Sequence, residues 1–514
     1  MIKKYTIGID IGGTHTDAVL VDENLKIVAS FKTETTSPLE EGVKTGITFL
    51  LESSGVDKTG VNGIYVGTTH ATNAILKGTD LYRVGVIRLA GHYPTSLRPC
   101  FAWPKEVQSC VFSGCETIDG GSECDSRVIT PFNPKQAREA IDRLLEKGTE
   151  SLAIVGVFSP IAKEHECLCA EEVKEVAGTS FPVSLSHEIG GIGFIERENA
   201  TILNAALKKP MEEGFRHLED MKNQVGLNCP LFLTQNDGSL INLFQAITSP
   251  LLTVSSGPTN SFIGASKLAG VDDAIIVDIG GTSTDIGMVQ NGYPRRSMHN
   301  AHIGGIPLNF RMPDVMAMAI GGGSQITKNK NGGYLVGPES CGRRLTKEAQ
   351  IFGGDTLTLT DLASLTETMN IIGANKSAIT ASHSEAEHVL KLVTEKIQYA
   401  VQVMKGNNTD LPVVFVGGGA EIGSSCSTVI PEHYSVANAY GAALAEISAT
   451  VDTVTSLVDR EKTLKLLKTK ALNLAISKGA LEKTARIVDV QVIPYHYVPN
   501  QLARVVVVAS GCHY

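Results

Sequence analysis

Apolar and polar positions along the first 35 residues predict strand, turn, strand, turn, strand. Tyr5–Ile11 is apolar with β-branched residues, and Gly12-Gly13 interrupts it. Thr16–Val21 resumes the pattern, and Leu25–Phe31 follows the polar turn Asp22-Glu23-Asn24. The period then becomes helical, with Leu39, Val43, Ile47, Leu50 and Leu51 predicting a helix over Pro38–Leu51. Short strands are predicted at Ile64–Val66, Val84–Ile87 and Leu152–Val157. Helical stretches separate them, among them Lys135–Lys147 with Ala137, Ile141, Leu144 and Leu145 on one face. A long helical pattern runs from about Gly193 to His217. Such alternation predicts an α/β layer architecture.

After that helix the opening rhythm restarts. Ala274–Asp278 reads as a strand, Gly280-Gly281 as a turn, Thr284–Val289 as a second strand, and Tyr293–Ser297 follows the turn Asn291-Gly292. The two openings superpose as text: Ile9-Asp10-Ile11-Gly12-Gly13-Thr14-His15-Thr16-Asp17 against Val277-Asp278-Ile279-Gly280-Gly281-Thr282-Ser283-Thr284-Asp285. Seven of these nine positions are identical, 268 residues apart. Two nine-residue copies in the same strand–turn–strand context indicate an internal duplication. Further on, a helix over Glu385–Lys405 leads to the strand Val413–Val416 and the triple glycine Gly417–Gly419. Asn438–Ile447 reads as a small-residue helix, Glu461–Lys478 as another helix, and Ile487–Ile493 and Leu502–Val508 as strands. Three units are expected: 1–190, 191–454 and an appended 455–514.

Composition narrows the function class. Lys plus Arg is 45 and Asp plus Glu is 54, a formal charge of −9. A mildly acidic chain without a basic block argues against a nucleic-acid backbone binder. The apolar runs fall short of the ~20 residues that span a bilayer, and the stretch behind Lys3 and Lys4 is broken by Asp10 and Asp17, unlike a signal peptide. A cytoplasmic protein without membrane contact is the expectation. Ten cysteines in such a chain do not read as a disulfide framework. Cys100, Cys110, Cys115 and Cys124 lack the two-residue gap of a zinc knuckle, and His165, Cys167 and Cys169 read as incidental. The 51 glycines fall in tight clusters, which suits backbone approaching a ligand.

The duplicated loop carries the candidate chemistry. In Asp-x-Gly-Gly-Thr-x-Thr-Asp, the pairs Gly12-Gly13 and Gly280-Gly281 expose backbone N–H donors to an anion. Thr14, Thr16, Thr282 and Thr284 add hydroxyl donors. Asp10 and Asp278 cannot touch phosphate directly but suit the Mg²⁺ that neutralises it. Two such hairpins facing each other would grip a phosphate tail from both sides. The plainer alternative is that Gly-Gly-Thr closes two hairpins and the aspartates solvate turns. Thr68, Thr69, Thr72 and Asn73 either cap a helix or place hydroxyls at the cleft. Gly321–Gly323 suits either a ligand loop or close backbone packing. His15 and His70 read as polar residues near the cleft, Glu196 and Arg197 as a structural ion pair, and Trp103 as packing.

On these residues the chain resembles the actin, sugar kinase and heat-shock chaperone (ASKHA) superfamily of ATPases. More closely, it resembles the hydantoinase A/5-oxoprolinase family within it. Gly67-Thr68-Thr69-His70-Ala71-Thr72-Asn73-Ala74 is similar to a family signature. So are Glu196-Arg197 with Thr201, Asn204 and Ala205, and Ser256-Gly257-Pro258, and Ile320–Ser324. Val336-Gly337-Pro338-Glu339-Ser340, Asn438–Ala443 and Pro494–Val508 extend the likeness over nearly the whole chain. The segment Cys341-Gly342-Arg343-Arg344-Leu345-Thr346 departs from the family pattern, as do His15 and His70, and the chain is shorter at its C-terminal end.

The resemblance implies two ribonuclease-H-like lobes around an ATP cleft, with Gly417, Gly418 and Gly419 against the adenosine and a short C-terminal appended element. It implies phosphorylation of the carbonyl oxygen of a cyclic amide or imide, hydantoin- or 5-oxoproline-like, ahead of ring opening. Asp10 and Asp278 would hold Mg²⁺, Asp285 or Asp17 would orient a nucleophile, and Thr68 and Thr69 would lie near the transferred group. A hydantoinase B-type partner subunit and an oligomer are implied. A nucleotide-dependent regulatory ATPase and a small-molecule kinase are the alternatives. Lobe closure is expected to turn on Gly190, Gly191 and Gly193 ahead of the long helix, unless these glycines only serve a tight turn into it.

Overall fold

The computed structural model describes residues 4–36, 38–91, 96–297, 301–309, 312–329, 333–371, 373–408, 410–423, 429–495 and 501–513. Residues 496–500 of the Pro494–Val508 stretch lie outside them. Tyr5–Ile11, His15–Asp22 and Ile27–Glu34 form an antiparallel meander, and Val61–Thr68 pairs in parallel with the first of these. Leu231–Thr234 continues the parallel run. Ala274–Ile279 and Thr284–Gln290 repeat the hairpin, and Val413–Val416 lies parallel to the first strand, as Val61–Thr68 does in the other sheet. Both units are therefore ribonuclease-H-like lobes of the ASKHA type. The duplication extends to the register: Asp10 sits opposite Asp17, and Asp278 opposite Asp285.

The C-terminal strands complete the first sheet. Its order places Arg486–Pro494, Leu502–Gly511 and Ile447–Ser456 beyond Leu240–Asn242 and Leu231–Thr234, nine strands in all. The 454/455 boundary drawn from sequence falls inside the strand Ile447–Ser456. The small-residue helix covers only Ala437–Ala443 and stops before that strand, because Ile447, Ala449 and Val451 alternate toward a core. Between the first four strands and the long helix lies a separate parallel sheet, with Val84–Leu89 at its centre, Phe112–Ile118 on one side and Ser151–Gly156 then Val183–Leu185 on the other.

The long helix spans Phe194–Val225 and packs into the core of the first lobe through Ile202, Leu203, Leu207 and Phe215. Pro210 sits within it. The carbonyl that Pro210 cannot serve, that of Ala206, accepts the Tyr82 N–H at 3.0 Å, so the helix continues past the proline. Its first turn holds a buried charge network. Arg197 is fully buried and donates to Ser186 Oγ at 2.9 Å and to the carbonyls of Gly191, Ile192 and Gly156. The ion pair expected between Glu196 and Arg197 is replaced by Arg88 with Glu198, at 2.6 Å. Glu166, also buried, accepts from the Gly156 and His187 N–H groups, Ser186 Oγ and His187 Nδ1.

Burial pushes the Glu166 carboxyl up, but its bonds from His187 and Ser186 outweigh this and hold it below its ordinary 4.5. A depressed folded value contributes stability above pH 4.5 that is lost as pH falls. Glu166→Gln should therefore destabilise the chain by about 3 kcal/mol at pH 7, because Arg197 loses its buried counter-charge. The deficit should shrink at pH 4. Urea unfolding at the two pH values checks this, and an equal deficit at both would refute it.

Two further features join the lobes. The helices Ser256–Ala269 and Ala437–Ala443 cross at glycines: a Cβ on Gly264 would lie 1.9 Å from the Ala437 carbonyl oxygen, and one on Gly441 1.8 Å from that of Asn260. A two-stranded hairpin, Ala301–Ile303 with Ile306–Leu308, leaves the second sheet and buries Ile303, Ile306 and Leu308 in the first-lobe core. Asn199 Nδ2 donates to the Pro307 carbonyl at 3.0 Å. This hairpin also packs against Gly190, Gly191 and Gly193, where the hinge was expected. Gly191 N–H donates to the Asn309 carbonyl, and a Cβ on Gly190 would lie 3.0 Å from both that oxygen and the Arg197 side chain. These glycines admit a docked segment and are not spare backbone freedom.

Candidate functional site

The two duplicated turns are closed by the same bond. Gly12 N–H donates to the His15 carbonyl and Gly280 N–H to that of Ser283, each at 2.9 Å. Those two N–H groups are spent within their hairpins, whereas Gly13 and Gly281 keep theirs free of any partner among the described residues. The turns meet across the cleft: a Cβ on Gly281 would lie 3.0–3.4 Å from the Thr14 side chain. Thr14 Oγ1 lies 3.1 Å from His15 Nδ1, and Thr282 is exposed. Thr16 and Thr284 are placed differently. Both are buried, Thr16 bonded to Thr35 Oγ1 at 3.3 Å and Thr284 donating to the Ile320 carbonyl at 2.6 Å. Their hydroxyls brace the hairpins.

Asp10 is buried at the base of the first turn. Asn438 Nδ2 donates to its Oδ2 at 2.9 Å, while Oδ1 has no hydrogen-bond partner. Gly67 makes room for that oxygen, since a Cβ there would lie 2.6 Å from it. Burial, then the charges of Asp17 and Asp278, push the Asp10 carboxyl up to about 7. Burial also raises Asp278. Asp285 is pushed up to about 7 by burial and by Asp278, and no partner among the described residues neutralises it. Its counterpart Asp17 is instead paired with Lys32 at 2.6 Å. The duplicated carboxylates thus stand in unequal environments.

The glycine clusters separate by role. Gly322 N–H donates to the Gly280 carbonyl at 3.0 Å and Gly323 N–H to that of Gly281 at 2.7 Å, so Gly321–Gly323 is backbone packed against the second turn. Gly417 has φ +85°, and a Cβ on it would lie 2.2 Å from Asp278 Oδ1; Gly419 N–H donates to the Ile279 carbonyl. Gly418 alone of the three is exposed. The departing segment Cys341–Thr346 rests on the same turn, with Cys341 N–H donating to the Gly323 carbonyl and Thr346 reaching Glu34 of the first lobe.

Thr68 ends its strand and accepts from the His70 N–H at 3.1 Å, so its hydroxyl caps the start of the next helix, while Thr69 Oγ1 donates to the Ile11 carbonyl at 3.2 Å and is tied to the base of the first turn. His70 lies beside Gly214 and Pro210 of the long helix. Lys32 and Asn438 are site residues that the sequence alone does not single out. Asn438 lies inside a family motif without a role of its own, and Lys32 has only its place on a strand of alternating polarity.

An Asp10 oxygen that is buried and unpartnered suits a divalent cation. Among the described residues no three His, Cys, Asp or Glu side chains converge to hold a metal by themselves, so a cation here would need phosphate or water oxygens as well. Nine cysteines among the described residues are unpaired, and no helix there is long and apolar enough to cross a membrane.

Comparison with known proteins fits this geometry. The solved structure of an ATP-dependent caprolactamase from Pseudomonas jessenii aligns at a TM-score of 0.77 and 20% identity, over 98% of this chain and 87% of that one. A nucleotide-free acetone carboxylase aligns at 0.73 and 16% identity, over 99% and 88%. At these identities the likeness is one of fold. In sequence, the caprolactamase alpha subunit of P. jessenii is 25% identical over 70% of this chain and 54% of its own length. The acetophenone carboxylase gamma subunit of Aromatoleum aromaticum is 25% identical over 69% and 52%, and the 5-oxoprolinase of Saccharomyces cerevisiae 26% over 69% and 31%. The chain spans about half the length of the first two, and less of the third. The model of the hydantoinase/oxoprolinase N-terminal region matches residues 6–177, and that of hydantoinase/oxoprolinase matches residues 197–371. Matched in order by both models over most of its length, the chain belongs to the hydantoinase/oxoprolinase family.

Proposed function

We propose that the chain binds Mg·ATP between the two turns and transfers its γ-phosphoryl group to the carbonyl oxygen of a cyclic amide or imide. The observation that carries this reading is the meeting of the turns, with Asp10 and Asp278 raised at their bases and the Gly13 and Gly281 N–H groups free. Gly13, Thr14, Gly281 and Thr282 would follow the phosphate oxygens, and Gly418 would leave space for the nucleoside. Asp10 and Asp278 would hold Mg²⁺, which supplies charge neutralisation and Lewis acidity when bound. Positioning and charge neutralisation are most of what phosphoryl transfer needs from a protein.

Asp285, uncompensated by any cation, would take the amide N–H proton as the carbonyl oxygen attacks. The lactam C=O becomes C–O–phosphate, its C–N bond becomes C=N, and ADP leaves. The product is an activated imidate that water can open. A relative named as one subunit of a caprolactamase supports a second polypeptide for the ring-opening step.

The test follows the oxygen. A lactam labelled with ¹⁸O at its carbonyl, incubated with the chain, ATP and Mg²⁺ in the presence of a hydantoinase B-type subunit, should release labelled inorganic phosphate. Hydantoin, 5-oxoproline and caprolactam form the panel. Lactam-dependent ATP hydrolysis with unlabelled phosphate would exclude the mechanism. Stable phosphate on the product would indicate a kinase.

A further inference from the structure

Lys32 lies on the third strand of the first lobe, and its ammonium group makes two hydrogen bonds. It donates to Asp17 Oδ1 at 2.6 Å and to the carbonyl of Ser435 at 3.1 Å, on the turn that enters the second crossing helix. An ammonium has three N–H donors, and no third partner exists among the described residues. The side chain is 31% exposed and Asp17 only 4%, so the pair is buried on one side and open on the other. The open side lies beside the Gly417–Gly419 loop: a Cβ on Gly418 would lie 3.8 Å from Lys32 Cε. The charge of Lys32 reaches Asp10 and Asp278 as well as Asp17. A cation stationed among these carboxylates, with a donor to spare and both anchors rigid, is placed for an anion that enters between the lobes.

We propose that Lys32 is a phosphate-binding residue of the nucleotide site, its third N–H directed at the phosphate tail and its other two fixed by Asp17 and Ser435. This rests on the reading of the cleft as an ATP site and adds what none of the loop residues supplies, a formal positive charge from the protein. Asp17 then acts as a positioning residue for Lys32, which accounts for the unequal treatment of Asp17 and Asp285. A charge-assisted contact of this kind is stronger than a neutral one. Its contribution should also grow with the number of phosphates present.

The experiment compares Mg²⁺ complexes of AMP, ADP and ATP by calorimetry on the full chain. Lys32→Met leaves Asp17 buried and unpaired, so the double variant Lys32→Met/Asp17→Asn, which removes the pair together, is measured beside it. Affinity should rise from AMP to ATP in the wild type, and the double variant should lose about tenfold of that rise with AMP affinity little changed. Lys32→Arg should keep part of it. Asp17→Asn alone keeps the ammonium group but loosens its anchor, and should lose part of the rise, less than the double variant loses. If the double variant climbs from AMP to ATP as steeply as the wild type, Lys32 is a structural tether and the proposal fails, whatever happens to the melting temperature. A wild-type chain that binds none of the three nucleotides would instead overturn the ATP reading itself.

Discussion

Asp10→Asn is expected to cut lactam-dependent ATP turnover to about one-thousandth or less, on the scale of removing a pre-organised electrostatic contact from a reacting centre, while the nucleotide-free chain becomes more stable. The stability gain follows from the site's own geometry. The Asp10 carboxyl is raised from 3.8 to about 7 by burial and by Asp17 and Asp278, and one of its oxygens has no partner. A group raised in the folded state favours folding when protonated, so the carboxylate penalty is absent below pH 3.8, grows between 3.8 and 7, and is complete above 7. A tenfold change in proton affinity corresponds to about 1.4 kcal/mol, so asparagine should relieve a few kcal/mol at pH 8 and nothing at pH 3. Thermal unfolding without Mg²⁺ or nucleotide, set beside phosphate-release assays, checks both halves. A variant that turns over ATP normally would remove Asp10 from the site. One that melts lower at pH 8 would mean that Oδ1, like Oδ2, has a partner that favours the carboxylate.

Gly441→Ala carries the second large effect, on the fold. In an ordinary helix interior alanine stabilises by about 1 kcal/mol relative to glycine. Here its Cβ would lie 1.8 Å from the Asn260 carbonyl oxygen and close to Gly264 N of the facing helix. The helix Ala437–Ala443 cannot yield freely, because Asn438 holds Asp10 and Gly8 presses on the Ala439 carbonyl from beneath. The variant should lose about 3 kcal/mol, the upper range for overpacking, and ATP turnover should fall with it as Asp10 is displaced. Gly264→Ala should behave alike, and the double variant should cost less than the sum, since either substitution already parts the helices. A melting temperature equal to or above wild type would show that the two backbones are not in contact.

What could be read from the sequence was local or repeated. The two turns were visible because the same nine positions recur, and the structure carries that identity down to the 2.9 Å bond that closes each. Val413–Val416 and the periodic helix starting at Leu39 likewise announced themselves through side-chain period. What stayed hidden was long-range. Nothing local to Ile447–Ser456 tells that it will pair with Leu240–Asn242 and extend a sheet begun at Tyr5. Glycines posed the hardest question, because freedom and crowding select the same residue. Gly190 and Gly191 resembled hinge glycines and are packing glycines, and Gly321–Gly323 supports the second turn from behind. Thr16 and Thr284 matched the pattern of Thr14 and Thr282, but they lie within the second strand of each hairpin, where their hydroxyls meet buried partners, whereas Thr14 and Thr282 stand in the turns. Lys32 was invisible for a related reason: its carboxylate neighbours come from three separate segments.

The hairpin at 301–308 limits how the two lobes can move. Two bodies that touch at one place swivel freely, whereas two attachments some distance apart leave rotation about the line that joins them. The glycine crossing is one attachment, and the burial of Ile303, Ile306 and Leu308 in the other lobe's core is the second. Motion that keeps both is confined to rotation about the line between them. Full opening would require Ile306 and Leu308 to be drawn out of the neighbouring lobe first.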